Sequence, residues 1–148
     1  MPTKKKNKTL NNEDKKLIEE IIRVDHAGEH GATQIYRGQL AVFKENTEFG
    51  KEIKEMADQE EIHKSTFDEY IVKENVKPTA LFPFWNLAGY ALGLGTALMG
   101  KKAAMACTVA VEEVIGQHYD EQAKELSQRK IKPDLLKTVK KFREDELE

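Results

Sequence analysis

Four glutamates and one histidine stand in this chain in the order Glu29, Glu60-Glu61-Ile62-His63, Glu112 and Glu146. Each glutamate falls in its own stretch of helix-like periodicity, and His63 follows Glu60 by three positions, on the same helix face. Carboxylates and an imidazole distributed in this order over successive helices are what a four-helix bundle uses to hold two metal ions in its core. No feature narrows the possible folds more, because a chain that buries these acids must bring several helices together around one point and supply positive charge there.

At 148 residues the chain is one domain with enough length for a real core. Charged residues make up 34% and aromatics 7%, a helix-rich profile, and no period-2 run bounded by turn residues suggests a strand. A formal net charge of -2 gives no argument for nucleic acid. Residues 1–10, with the run Lys4-Lys5-Lys6, read as a disordered, solvated basic tail, and residues 11–148 as the bundle. Cys107 is the single cysteine, so no internal disulfide can form; its apolar surroundings mark it as a small core residue. The first dozen residues lack the apolar stretch of a signal peptide.

Asn11 or Asn12 is suited to cap a first helix, with Glu13 and Asp14 in its first turn. Leu17, Ile21, Val24, Gly28, Ala32, Ile35 and Leu40 carry that helix to about Phe43. Asn46, Thr47 and Gly50 mark a turn. A second helix reaches about Lys73, with Ile53, Met56, Glu60, His63, Phe67 and Ile71 on one side. A third long helix runs from about Lys101 to Gln128. Pro133 suits the first turn of a fourth, striped by Leu135, Leu136, Val139 and Phe142. That fourth helix is expected to be cut short by the chain end, one residue before a second Glu-x-x-His would finish, so a truncated chain is expected. At about 1.5 Å rise per residue, Glu29 and Glu60 lie within about one turn of the same height on the first hairpin, and Glu112 and Glu146 are level on the second.

The donor set suits iron or manganese, and with no thiolate in reach it does not suit an iron–sulfur cluster. Without cations the carboxylates would repel in a dry core and some would take up protons. Taken alone, Glu60-x-x-His63 is a weak signal in so glutamate-rich a chain. Glu29 gains weight from Gly28 and Gly31, because glycines inside a helix cost about 1 kcal/mol each and call for close packing to offset them. Glu112 gains weight by following Thr108-Val109-Ala110-Val111. Tyr119, seven residues on, shares the Glu112 face and is a candidate catalytic residue that bonds a ligand carboxylate or reaches the pocket, plain core packing being the equal alternative. Asp25, one turn before Glu29, is a candidate to orient a ligating imidazole. His26, His30 and His118 lack a glutamate three residues back and carry less.

Between Thr79 and Gly100 nearly every residue is apolar, small or aromatic. The stretch approaches the ~20 residues that span a bilayer. Its glycines, Pro83, and the need for both ends to return to one bundle argue instead for an interfacial element dipping into one leaflet. The competing reading is that it simply covers the core.

Several blocks resemble one family: Arg23-Val24-Asp25-His26-Ala27-Gly28-Glu29, Asp58-Gln59-Glu60-x-x-His63, Pro83-x-Trp85-Asn86, Ala104-Met105-Ala106-Cys107-Thr108-Val109-Ala110-Val111-Glu112-Glu113 and Phe142-Arg143-x-x-Glu146-Leu147-Glu148. They are similar to the 5-demethoxyubiquinone hydroxylases of ubiquinone biosynthesis, from about Asp14 to the end. The resemblance implies an all-α, ferritin-like four-helix bundle with one long apolar crossover. It implies a monooxygenase with two iron ions, O2 as co-substrate and NADH as electron donor, acting on the ring of a demethoxylated ubiquinone precursor. The family's iron ligands carry over to Glu29, Glu60, His63, Glu112 and Glu146; its pattern continues past Glu148 with a further ligating histidine. Expected partners are a polyprenylated quinone, a membrane interface through 79–100, a lipid-binding protein of the same biosynthesis and further copies of the chain. The expected location is the periphery of a bacterial inner membrane or of the mitochondrial inner membrane. Two rivals stay open: another ferritin-like activity (iron oxidation or peroxide reduction), and a metal-poor helical module that binds quinone or lipid without catalysis.

Overall fold

In the computed structural model, residues 10–146 are described, and all regular structure among them is helical. The helices are α1 (Asn12–Val42), α2 (Glu48–Lys73), α3 (Phe82–Leu98), α4 (Lys101–Arg129) and α5 (Pro133–Glu146). This is the all-α architecture expected, consistent with a ferritin-like bundle. Of the expected tail over 1–10, only Leu10 lies within the described residues, and it is partly buried against the core.

Local chemistry sets the boundaries. The Asn11 side chain accepts a hydrogen bond from the Asp14 N–H at 2.8 Å, a cap worth about 1 kcal/mol. Thr47 does the same for the Gly50 N–H at 3.0 Å and starts α2. Lys130 and Lys132 take left-handed backbone angles between α4 and α5, and Pro133 opens α5 as its fixed φ permits.

The loop between Val42 and Glu48 folds α2 back along α1, so residues near Arg23 meet those near Lys77: the Arg23 Nε donates to the Lys77 carbonyl at 2.9 Å. The turn after Arg129 does likewise for α4 and α5, placing Arg143 Nε 3.3 Å from Asp120 Oδ1. Ile22, Ile53, Phe67, Leu126, Leu135 and Val139 fill the core and are essentially inaccessible to water. Burying each such side chain contributes roughly 1.5–3 kcal/mol, and that term drives the two hairpins together.

The apolar crossover forms a regular helix of its own, α3, which packs extensively on α1. Contact is made by small residues: Gly89, Gly93 and Ala97 are the buried positions of α3. A Cβ on Gly93 would collide with the Ile35 backbone carbonyl, and one on Gly31 would lie 2.5 Å from the Trp85 indole nitrogen. The α1 backbone and α3 therefore approach as closely as glycine allows. Phe82 and Trp85 of α3 turn toward α1, on His26 and His30 and on Gly31, but other large side chains of α3 and its C-cap point away from the bundle: Phe84, Leu87, Leu98 and Met99 are 66–79% exposed. The segment does not cover the core with its bulk. Among the described residues, no helix is long and apolar enough to cross a membrane.

Candidate metal centre

Glu29 of α1, Glu60 and His63 of α2 and Glu146 of α5 converge. One donor atom from each lies within 4.8 Å of the others. All four residues are buried, Glu29 completely. The helical pitch explains Glu60 and His63: three residues apart, they project side by side. Phe142 stacks on the His63 ring with centroids 3.9 Å apart, so α5 clamps the imidazole while Glu146, one turn on, reaches the same point.

Within this set Nδ1 of His63 faces the acids, at 3.3 Å from Glu146 Oε1 and 3.7 Å from both Glu29 Oε2 and Glu60 Oε2. These four atoms are buried and make no hydrogen bond. Buried polar atoms are rarely left so. Four unpartnered donors aimed at one small volume fit a divalent transition metal, and the oxygen-plus-imidazole mixture fits iron.

Electrostatics tell the same story. Burial, then the adjacent Glu29 and Glu146 carboxylates, push Glu60 far above the usual carboxylate range, so it holds a proton when no cation is bound. Burial alone would raise Glu29, but its contacts with Glu60, His63 and Tyr119 outweigh that and bring it below its ordinary value. Burial pulls His63 down, yet Glu146 and Glu29 prevail and it is pushed up to about 10. Protons thus occupy the place that a cation would take.

Glu112 lies beside this set rather than in it. It is half-buried on α4, accepts a hydrogen bond from the Tyr36 hydroxyl at 3.1 Å, and is raised by burial first and by the Glu146 charge after. Tyr119, fully buried in the core, donates its hydroxyl to Glu29 Oε1 and also borders a small gap beside that residue. Asp25 departs from expectation. It contacts no ligating imidazole but accepts from the Gln122 amide at 2.7 Å, and burial raises it well above its usual range. The carboxylate that does reach the far nitrogen of His63 is Asp145, with Oδ2 3.0 Å from Nε2. Gly28 also differs. A Cβ there would touch nothing within 4 Å, because the residue borders a cavity instead of a packed helix.

That cavity holds about 670 Å³ between α1, α3 and α4. Its walls include Ala27, Gly31, Ile35, Trp85, Leu92 and Val114, with Arg23 and Glu20 also on its lining. A smaller gap of about 20 Å³ shares Val24, Gly28, Ile115 and His118 with it and is lined also by Glu29 and Tyr119. Val24, Gly28, Ile115 and His118 thus stand between the large cavity on the α3 side and a small gap against Glu29.

Fold and centre together define a helical bundle with a buried carboxylate–imidazole cluster, of a donor set that could hold a metal ion, beside an apolar cavity. Residues 16–148 match the family described as ubiquinone biosynthesis protein COQ7, and the chain belongs to it. It is 51% identical over 142 residues to the mitochondrial NADPH-dependent 3-demethoxyubiquinone 3-hydroxylase of Bos taurus, covering 95% of this chain and 65% of that protein. It is 56% identical over 135 residues to the enzyme of the same name from Dictyostelium discoideum, covering 90% and 62%. Against the 3-demethoxyubiquinol 3-hydroxylase of Rhodospirillum rubrum the identity is 48% over 132 residues, covering 89% and 61%. The chain thus spans 61–65% of the length of these relatives.

Proposed function

We propose that this chain is the metal-binding bundle of a monooxygenase that hydroxylates the ring of a demethoxylated ubiquinone precursor at a membrane surface. The observation that carries the reading is the convergence of unpartnered Glu29, Glu60, His63 and Glu146 donors next to an apolar cavity. The names of the relatives support the reaction, and their NADPH dependence points to a reduced nicotinamide nucleotide as the electron source, NADPH rather than the NADH expected from the sequence.

Glu29, Glu60, His63 and Glu146 would hold the metal, with Glu112 on the adjacent α4 face completing a place for a second ion. Two irons there would supply the redox chemistry that activates O2 for attack on an aromatic carbon. The chain's own residues do the rest. Tyr119 fixes one Glu29 oxygen and leaves the other for the ion. Tyr36 fixes Glu112 in the same way. Asp145 holds the Nε2 proton of His63 and so keeps Nδ1 free to ligate. The apolar walls of the cavity exclude water from the reacting ring and give a polyprenyl tail a place to lie; the volume is within the range of about 300–1,000 Å³ typical of ligand pockets. The exposed Phe84, Leu87, Leu98 and Met99 would immerse in the lipid that carries the substrate, with the chain peripheral to that membrane.

The test is single-turnover hydroxylation of a short-tail demethoxyubiquinone by iron-loaded protein, with chemical reductant and O2, in vesicles. Appearance of the hydroxylated ring supports the reading. Iron oxidation or peroxide removal independent of quinone and lipid would replace it with a different ferritin-like activity.

A further inference from the structure

Two histidines that play no part in the centre meet a third residue on the neighbouring helix. His26 and His30 are one turn apart on α1 and face α2. Nε2 of His26 lies 3.1 Å, and Nε2 of His30 2.6 Å, from the same oxygen of Asp68. One donor atom of each of the three falls within 4.8 Å of the others.

We infer that His26, His30 and Asp68 form a second, mononuclear site for a zinc-class divalent cation, linking α1 to α2 apart from the carboxylate cluster. Two imidazoles and one carboxylate are a common three-residue donor set for such an ion, the fourth position falling to water. The spacing suits it. An ion about 2.0 Å from tetrahedral ligands keeps neighbouring donor atoms roughly 3.3 Å apart. The His26 pair is already close to that, and the His30 pair needs only a small outward swing of Asp68, whose side chain is 44% exposed. That exposure also gives a cation a path from solvent.

The rings are held ready. Phe82, at the start of α3, stacks on His26 with centroids 5.0 Å apart and meets His30 edge-on at 4.8 Å. His26 is buried, so little solvent competes for its ring.

The test uses the full chain. Equilibrium dialysis against buffered Zn2+ compares it with Asp68→Asn and, separately, His30→Ala, both at partly exposed positions. The native chain is expected to hold one equivalent more than either variant, and each variant to bind that equivalent about tenfold or more weakly. The extra equivalent should persist after Fe(II) has filled the carboxylate cluster. Equal uptake by all three proteins, or loss of the difference on iron loading, overturns the inference and leaves a hydrogen-bonded tie between helices. Should both variants misfold by circular dichroism, the native chain decides: Zn2+ must protect His30 from diethyl pyrocarbonate, and unprotected His30 overturns the site.

Discussion

Asp145 Oδ2 lies 3.0 Å from Nε2 of His63, which turns the opposite nitrogen of that ring toward Glu29, Glu60 and Glu146. A carboxylate in that position sets tautomer and orientation and raises the basicity of the ligating nitrogen. Asp145→Asn should therefore weaken iron binding by roughly 10–100-fold while leaving the fold intact, because Asp145 is itself partly exposed. Competition with a coloured chelator measures it.

The cluster gives the metal-free chain a characteristic dependence on pH. The folded-state pKa of His63 is raised from 6.5 to about 10, so its stabilisation is complete below the unfolded value and lost as pH climbs through the folded one. Glu60 is raised too and acts in the same direction, since folded protein keeps a proton the unfolded chain has released. Thermal unfolding in chelator should show Tm falling from about pH 4.5, where unfolded Glu60 gives up its proton, and falling further from about pH 6.5 to about pH 10 as His63 joins. Metal loading should flatten that fall by displacing those protons. A Tm that rises with pH in chelator would contradict the assignment.

Close approach of α3 to α1 separates two glycines of the same helix. Gly93→Ala puts a methyl against the Ile35 carbonyl and should cost about 1–3 kcal/mol in urea unfolding. Gly95→Ala meets nothing within 4 Å and should be neutral or stabilise by roughly 0.5–1 kcal/mol through helix propensity. Equal costs at the two positions would refute the glycine seam.

The outward side chains of α3 provide a membrane test. Phe84→Asp with Leu87→Asp should abolish co-flotation with anionic vesicles yet change stability by no more than about 0.5 kcal/mol per site, as both residues are exposed.

That Glu60 and His63 share a face was readable from their spacing, because three positions on a helix lie side by side, but their place in a cluster was readable only from the order of Glu29, Glu112 and Glu146 around them. Glu29 was readable from its setting, although the reason given for Gly28 was incomplete: Gly31 packs against Trp85, whereas Gly28 borders open apolar space. Asp145 was not readable. Glu144, Asp145 and Glu146 are adjacent, and only the phase of α5, fixed by Phe142 on His63, decides which carboxylate meets which nitrogen. Asp25 does not meet His63; its Oδ1 is taken by Gln122, 97 positions away, a pairing that no local pattern encodes. That α3 would be a regular helix was hidden by its composition. With small residues inward and large apolar residues outward, both faces read as hydrophobic, and periodicity carries no signal when both sides score alike. The pairing of His26 and His30 with Asp68 rests on the α1–α2 register, which no local pattern encodes.

The most direct measurement is the number of Fe(II) ions bound per chain under strict anaerobiosis, made in the Asp68→Asn background so that the α1–α2 histidines do not contribute. About two ions per chain are expected, falling toward one with Glu112→Ala and lost with Glu60→Gln combined with His63→Ala, helix content being unchanged. No bound iron, or binding indifferent to Glu60 and His63, would contradict the claim that these buried side chains form a metal centre.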